Sequence, residues 1–385
     1  MAVQSPASRW AWVEVDLSAL KRNTRKFKAL LEPGVKMMCV VKADAYGHGA
    51  ECCVRAMHSA GADQFAVATV EEGVKLRQAG IEWPILVFSE PPMDCVQTLV
   101  DYDIMPSVYT SEFALALGEC AAAAGKVARY HLAVDTGMTR IGVRREDVLE
   151  LRRTIDFHRG LECAGMFTHF ATADLIDDWD FALQLNRFNE AVATVREAGL
   201  ETGLVHCDNT PGTVLHPECH YDMCRVGIGL YGLQPAETTA PRIQLEPVMS
   251  VRGRVTRAIY PNVGDGVGYG LTWRVPKQNM QVATVPIGYA DGLARTLSNN
   301  MDVIVNGARC RQVGRICMDQ FMFAVDVNNA RAYRPAKPVK MGDVVTVIGR
   351  DGDEEITADE MAKLRDTINY EVVCDFGMRL EKVYV

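Results

Sequence analysis

Along the first two-thirds of the chain, short apolar runs alternate with longer stretches whose apolar residues recur every three or four positions. The runs are Lys36–Val41, Gln64–Thr69, Ile85–Phe88, Ile104–Val108, Tyr130–Asp135, Glu162–His169, Leu204–Asp208 and Arg225–Leu230. They are rich in Val, Ile, Met and Phe and nearly continuous, as expected of parallel strands buried on both faces. Between them, Ser18–Leu31, Ala50–Ala60, Val70–Ala79, Ser111–Ala124 and Phe181–Ala198 predict amphipathic helices. Ser18 and Ser111 are placed as N-caps, and Gly61, Gly80, Gly125 and Gly199 fall where C′ glycines belong. Eight strands alternating with helices over about 230 residues is the arithmetic of an α/β fold of the (β/α)8, TIM-like barrel type, with a doubly wound open sheet as the alternative.

The pattern changes after Leu233. Residues 234–247 carry Pro235, Pro241 and Pro247 without a clear period, which marks a boundary between a barrel over residues 1–240 and a C-terminal domain over 241–385. The second domain reads as mostly β: Val248–Tyr260, Met280–Pro286, Asp302–Val305, Cys310–Ile316, Phe321–Val327 and Val344–Ile348 are strand-like. Asn306-Gly307 is a strong hairpin turn signal. One helix begins at Thr357 with Glu360 three residues on, the spacing of a capping box. Residues 10–16 alternate like a strand and are expected to join the β domain.

The 385 residues are 48% hydrophobic and 23% charged, ordinary for a soluble globular protein. A net charge of −8 argues against a generic binder of nucleic acid or anionic membrane, though not against a small anionic ligand held by local cations. No apolar run approaches the length of a bilayer span, and the N-terminus does not read as a secretory signal, so a cytoplasmic protein is expected. Twelve cysteines are too sparse for a disulfide scaffold. His206, Cys207, His216, Cys219 and His220 cluster in sequence but lack the paired spacing of a zinc site, so they read as buried thiols and loop histidines, and no metal is expected.

The chemistry concentrates at the ends of the barrel strands. Val41-Lys42-Ala43-Asp44-Ala45-Tyr46-Gly47-His48 follows the first of them. A lysine at a buried strand end either snorkels to solvent or, with its pKa lowered by burial, becomes an amine suited to Schiff-base formation with an aldehyde. The sixth strand ends at Thr168-His169-Phe170, the seventh at His206-Cys207-Asp208-Asn209-Thr210, and the eighth carries Arg225-Val226-Gly227-Ile228-Gly229. Such residues converge on the barrel mouth, and the loops after strands seven and eight are the usual phosphate site of this fold. A reactive lysine and a phosphate cradle in one mouth imply pyridoxal phosphate.

These motifs resemble the alanine racemase family. The resemblance continues through Asp135-Thr136-Gly137-Met138-Thr139-Arg140, Arg225 to Gly232, Val267-Gly268-Tyr269-Gly270, Gly288-Tyr289-Ala290-Asp291, Arg315-Ile316-Cys317-Met318-Asp319 and Asn369-Tyr370-Glu371. It covers essentially the whole chain and implies a homodimeric enzyme that interconverts L- and D-alanine, with D-alanine supplied to peptidoglycan. Lys42 would hold the cofactor and serve as the base on one face of the substrate Cα. Tyr269 of a partner subunit would be the opposite base. A free tyrosine, with a pKa of about 10, is a poor base at neutral pH, so it needs cationic or hydrogen-bonding help, for which His169 is the candidate. Arg225 would face the pyridine nitrogen and keep it unprotonated. Tyr46, Asn209, Thr210, Gly227, Ile228 and Tyr370 would bind the cofactor, chiefly at its phosphate. Arg140 and the Met318 N–H would hold the substrate carboxylate, with Tyr289, Cys317 and Asp319 at the entrance. Ala133 stands where the family commonly has a lysine, often carbamylated, that pairs with the arginine matched by Arg140, so a bound anion such as chloride is the expected substitute, with water or a neighbouring side chain as the alternative. A serine-preferring or broader racemase, a related decarboxylase and a non-catalytic cofactor-binding protein are the competing readings.

Overall fold

A computed structural model describes residues 9–175, 178–326, 337–377 and 379–385. The chain forms two compact units: one comprises Ala19–Ala45 and Ala50–Glu246, the other residues 9–18, Tyr46–Gly49 and Pro247–Val385.

In chain order the first ten strands are β1 (Ala11–Val15), β2 (Lys36–Val40), β3 (Gln64–Val67), β4 (Ile85–Val87), β5 (Met105–Val108), β6 (Ala128–Asp135), β7 (Val143–Arg144), β8 (Leu161–Phe167), β9 (Leu204–His206) and β10 (Met223–Val226). The barrel sheet runs β10-β2-β3-β4-β5-β6-β8-β9, every pair parallel, with the two-residue β7 appended to β6. Asp222 helps to close it: its N–H donates to Val205 O at 3.1 Å, and its carboxylate accepts the Val205 N–H at 2.8 Å. Met38, Ala66, Leu86, Met105 and Met223 pack together as an apolar cluster, so the barrel is filled rather than hollow.

Several boundaries differ from the sequence reading, each for a local reason. The helix expected to be capped by Ser111 is capped by Thr110, whose extended backbone lets its hydroxyl accept from Phe113 N at 3.4 Å. That makes Ser111 the first helical residue. Ser18 likewise lies inside the helix Leu17–Lys28 rather than at its cap. The strand expected over 225–230 is β10 followed by a 3-10 turn, Ile228–Tyr231. Gly229 is tightly enclosed there, since a Cβ on it would lie 2.4 Å from Phe27 Cζ and 2.8 Å from Thr210 Cγ2. Gly61, Gly80, Gly125 and Gly199 all take positive φ, as C′ glycines do.

In the second unit the strands continue as β11 (Met249–Arg254), β12 (Arg257–Ile259), β13 (Gly266–Val267), β14 (Trp273–Arg274), β15 (Met280–Val285), β16 (Asp302–Val305), β17 (Ala308–Arg311), β18 (Phe321–Asp326), β19 (Val344–Asp351), β20 (Glu354–Ile356) and β21 (Glu381–Tyr384). The largest sheet runs β17-β16-β19-β11-β1-β21 with β20 on β19, and β12-β15-β18 form a smaller one. The single strand expected over 248–260 is thus β11 and β12, and that expected over 310–316 ends at Arg311. Val327, the last residue of another expected strand, lies outside the described residues. Asn306 (φ 51) and Gly307 (φ 72) close the β16–β17 hairpin, the two positive φ values that a type I′ turn requires. Only half of the expected capping box forms at Thr357. Its hydroxyl accepts from Glu360 N at 3.0 Å, but the Glu360 carboxylate is taken by Arg309 at 2.7 and 2.9 Å.

Candidate active site

The segment after β2 leaves ordinary backbone conformation altogether. Ala43, Asp44, Ala45 and Tyr46 have φ of 52, 53, 57 and 52°, a left-handed turn built without glycine. Such residues cost roughly 1–2 kcal/mol each, so neighbouring contacts must hold the turn. Ala43 N donates to Glu72 Oε1 at 2.6 Å, and the Asp44 carboxylate accepts from Ala50 N at 2.8 Å. Glu72 is itself fixed in a reciprocal capping box with Thr69. Lys42, half-buried, opens this turn. Glu72 went unnoticed in the sequence. The Thr69-to-Glu72 spacing signals a helix start, but nothing local links it to Lys42.

At the other strand ends a buried polar chain is assembled around Arg225, which is 2% exposed. Its Nη1 meets His206 Nδ1 at 3.0 Å. Its Nη2 meets Thr168 O at 2.9 Å, Cys207 O at 3.0 Å and His169 Nδ1 at 3.2 Å. The guanidinium also lies 5.4 Å from the Phe167 ring centroid. Burial lowers its pKa to about 10, so it is still a cation at neutral pH.

Because arginine only donates, it dictates the histidine tautomers. His206 accepts at Nδ1, so Nε2 carries the proton and donates to His131 Nδ1, 2.8 Å away. His131 then carries its proton on a buried Nε2 that has no partner among the described residues. His169 also accepts at Nδ1, which leaves Nε2–H as its donor. Burial first, then the guanidinium of Arg225, keeps all three imidazoles neutral. His131 is lowered to about 3, and His206 and His169 fall well below the ordinary range. Arg140 and Lys42 add smaller contributions in the same direction at His169.

A pH prediction follows for His131. Its folded pKa lies below its unfolded value, so the unfolded chain binds a proton first as pH falls. Stability is complete above about pH 6.5 and declines toward pH 3, by at most ~1.4 kcal/mol per pH unit for this group. Urea unfolding across that range should show a shallower decline in His131→Asn than in the parent chain. Equal slopes would contradict a neutral His131.

Two of the residues expected on the phosphate side bond one another. Gly227 N donates to Thr210 Oγ1 at 2.9 Å, so that N–H is already used, and the Thr210 hydroxyl keeps its proton to donate. Asn209 is committed to structure: its Oδ1 accepts from Gly212 N at 3.0 Å as the cap of Thr210–Leu215. Ile228 is buried. Ala133 and Arg140 line the same small cavity, of about 10 Å³. Arg140 itself is exposed in the single chain. An amine at a strand end, a hydroxyl with a proton to give and a buried permanent cation nevertheless make a donor set that suits pyridoxal phosphate.

The remaining residues belong to the second unit. Tyr46 and Tyr370 meet edge-on, centroids 6.2 Å apart, and burial beside Tyr370 holds the Tyr46 phenol protonated. Tyr269 stands on a tight turn between Gly268 (φ 71) and Gly270 (φ 70) and is 70% exposed. With Cys317, Met318 and Asp319 it lines an open groove of about 980 Å³. Tyr289 joins that stretch through its N–H to Cys317 O at 3.0 Å. Gly288 permits the approach, since a Cβ on it would lie 2.2 Å from Met318 O.

No helix among the described residues is long and apolar enough to cross a membrane. The family described as "Alanine racemase, N-terminal domain" matches residues 15–235, and "Alanine racemase, C-terminal domain" matches 248–384. An alanine racemase of Symbiobacterium thermophilum is 41% identical over 98% of this chain and 97% of its own length. One from Desulfovibrio desulfuricans is 40% identical over 98% of each. Among solved structures, alanine racemase of Clostridium difficile superimposes with a TM-score of 0.92 at 35% identity, covering 99% of this chain and 97% of that one. A histidine racemase of Leuconostoc mesenteroides does so at 0.88 and 29%, covering 99% of each. With both halves matched and identity of this order along nearly its whole length, the chain belongs to the alanine racemase family.

Proposed function

We propose that this protein interconverts L- and D-alanine as a homodimer loaded with pyridoxal phosphate, supplying D-alanine for peptidoglycan. The observation that carries the reading is the barrel mouth itself. Lys42 opens a strained turn at one strand end, and a buried arginine held among neutral histidines occupies another. When bound, the cofactor supplies an electron-withdrawing ring that acidifies the substrate Cα–H. Lys42 would anchor that group and, once displaced by substrate, take or return the Cα proton at Nζ. The phenol of Tyr269 from a second copy would do the same at the opposite face. Neutral His169, with its proton on Nε2, suits it to hydrogen-bond a phenolate rather than to stabilise it as a cation. Arg225 would meet the pyridine nitrogen as a donor that does not surrender its proton, limiting how strongly the bound ring would withdraw electrons and so the side reaction of transamination. Thr210, Tyr46 and Tyr370 would bind phosphate, with Gly227 and Ile228 as the backbone of its cradle. Arg140 and the Met318 N–H would take the substrate carboxylate.

The experiment is a D/L assay on alanine, serine and histidine with purified, cofactor-loaded protein. Racemisation of alanine with the highest kcat/KM is the expected result. Preference for serine or histidine would move the assignment to another amino-acid racemase, and net carbon dioxide release would move it to a decarboxylase.

Ala133 leads to a separate expectation. With no lysine there, no carbamate can form beside Arg140, and a chloride ion is proposed to orient the guanidinium once substrate and a second chain cover it. The cavity between them holds about one water as it stands, so the site must widen to admit the ion. Removing chloride at constant ionic strength should raise KM for alanine severalfold, leave kcat largely unchanged and be indifferent to bicarbonate. An unchanged KM would assign the role to water.

A further inference from the structure

The segment joining β9 to β10, together with the start of β10, buries a set of metal-ligating side chains that racemisation does not use. Cys207, Asp208, Cys219 and Cys224 are all 0% exposed, and His220 is 5% exposed. We infer that this segment is a structural metal site for a zinc-class dication, ligated by Asp208 and the thiolates of Cys207 and Cys219, with Cys224 as fourth ligand.

Geometry is the first support. Donor atoms of Cys207, Asp208 and Cys219 lie within 4.8 Å of one another, and so do those of Asp208, His220 and Cys224. Tetrahedral zinc with sulfur at ~2.3 Å and oxygen at ~2.1 Å sets its donors roughly 3.5 Å apart, so Cys207, Asp208 and Cys219 need only small rotations, while Cys224, which reaches the same centre through Asp208, must swing toward it as the fourth. Cys224 is preferred to His220 because its Sγ is already 3.5 Å from Asp208 Oδ2. His220 Nε2 instead bonds Thr213 O at 3.0 Å and stands 4.0 Å from the carboxylate.

The second support is Asp208 itself. Its Oδ1 is buried with no hydrogen-bond partner among the described residues, and its Oδ2 receives only the weak thiol donor of Cys224. Arg225 does not pair with it, since the guanidinium bonds two imidazoles and two carbonyls. A buried carboxyl group in this state lacks the partner that such groups nearly always have. A dication supplies one. The thiols hold mostly weak partners: Cys207 Sγ donates to Cys219 O at 3.2 Å and also meets the Cys219 side chain, and Cys224 Sγ faces His220 O at 3.8 Å and the Thr213 hydroxyl.

The donor set selects the metal. Three sulfurs and one carboxylate suit zinc, whereas calcium and magnesium require an oxygen shell. On binding, the three thiol protons, with any on Asp208, leave to buffer. The resulting anionic centre sits beside the buried positive charge of Arg225. It would also fix the backbone on which Arg225 depends, because Cys207 O is one of its acceptors.

The test is metal analysis of the purified full-length chain, produced with zinc in the medium and exchanged into metal-free buffer. About one zinc per chain is expected. The pair Cys207→Ser with Cys219→Ser should lose nearly all of it, and Asp208→Asn should hold it far more weakly, with metal read only in soluble, folded protein. Should those variants fail to fold, cobalt exchanged into the unmodified chain reads the donors directly through thiolate-to-cobalt absorption and tetrahedral visible bands. No stoichiometric metal, zinc retained in the folded variants, cobalt without thiolate absorption, or a Cys207–Cys219 disulfide would each overturn the site.

Discussion

Lys42→Ala should abolish racemisation in both directions, by at least about 10³-fold, because one substitution removes both the cofactor's anchor and one of the two bases. The chain should still fold. Lys42 is half-buried, and the left-handed turn after it is held by Glu72 and Asp44 through the backbone N–H groups of Ala43 and Ala50. Borohydride reduction followed by mass spectrometry separates the assignment from a mere loss of activity. The parent chain should carry the reduced cofactor on the peptide containing Lys42, and the variant should carry none. A reducible adduct on another lysine would overturn the role, as would substantial activity in a variant with normal unfolding.

Tyr269→Phe should lower kcat by about 10²- to 10⁴-fold, the usual worth of a positioned acid–base group, while leaving cofactor binding intact. The phenol is 70% exposed on its turn, so its loss should hardly affect stability. The sharper expectation concerns mixtures. If the base acts in a second copy, combining inactive Lys42→Ala with inactive Tyr269→Phe under subunit exchange regenerates one intact site in each heterodimer. Activity should rise from near zero toward a quarter of the parent level, since about half the dimers are mixed and each has one of its two sites restored. No recovery in a mixture proven to contain heterodimers would place both bases in one chain.

What was legible in the sequence is what repeats locally. Continuous apolar runs separated by amphipathic stretches specify parallel strands buried on both faces, and their number pointed to a barrel, with an open doubly wound sheet as the alternative that the closed strand order excludes. Asn306-Gly307 specified its hairpin because few residues accept two successive positive φ angles. Lys42, Arg225 and Tyr269 stood out through strand ends and motif resemblance. Tertiary structure decided whatever depends on partners distant in sequence. Only the approach of Arg225 to the ends of β8 and β9 settles the tautomers of His206 and His169, and through His206 that of His131, because an obligate donor leaves each acceptor nitrogen no choice. Only the packing of Arg309 on Glu360 breaks the capping box at Thr357. Asp208 read as the end of the seventh barrel strand, and Cys224 fell just before the eighth. Folding 17 residues back on themselves, from Asp208 to Cys224, brings Asp208 close to both Cys219 and Cys224 and leaves a carboxylate oxygen without a partner among the described residues, which spacing along the chain could not disclose.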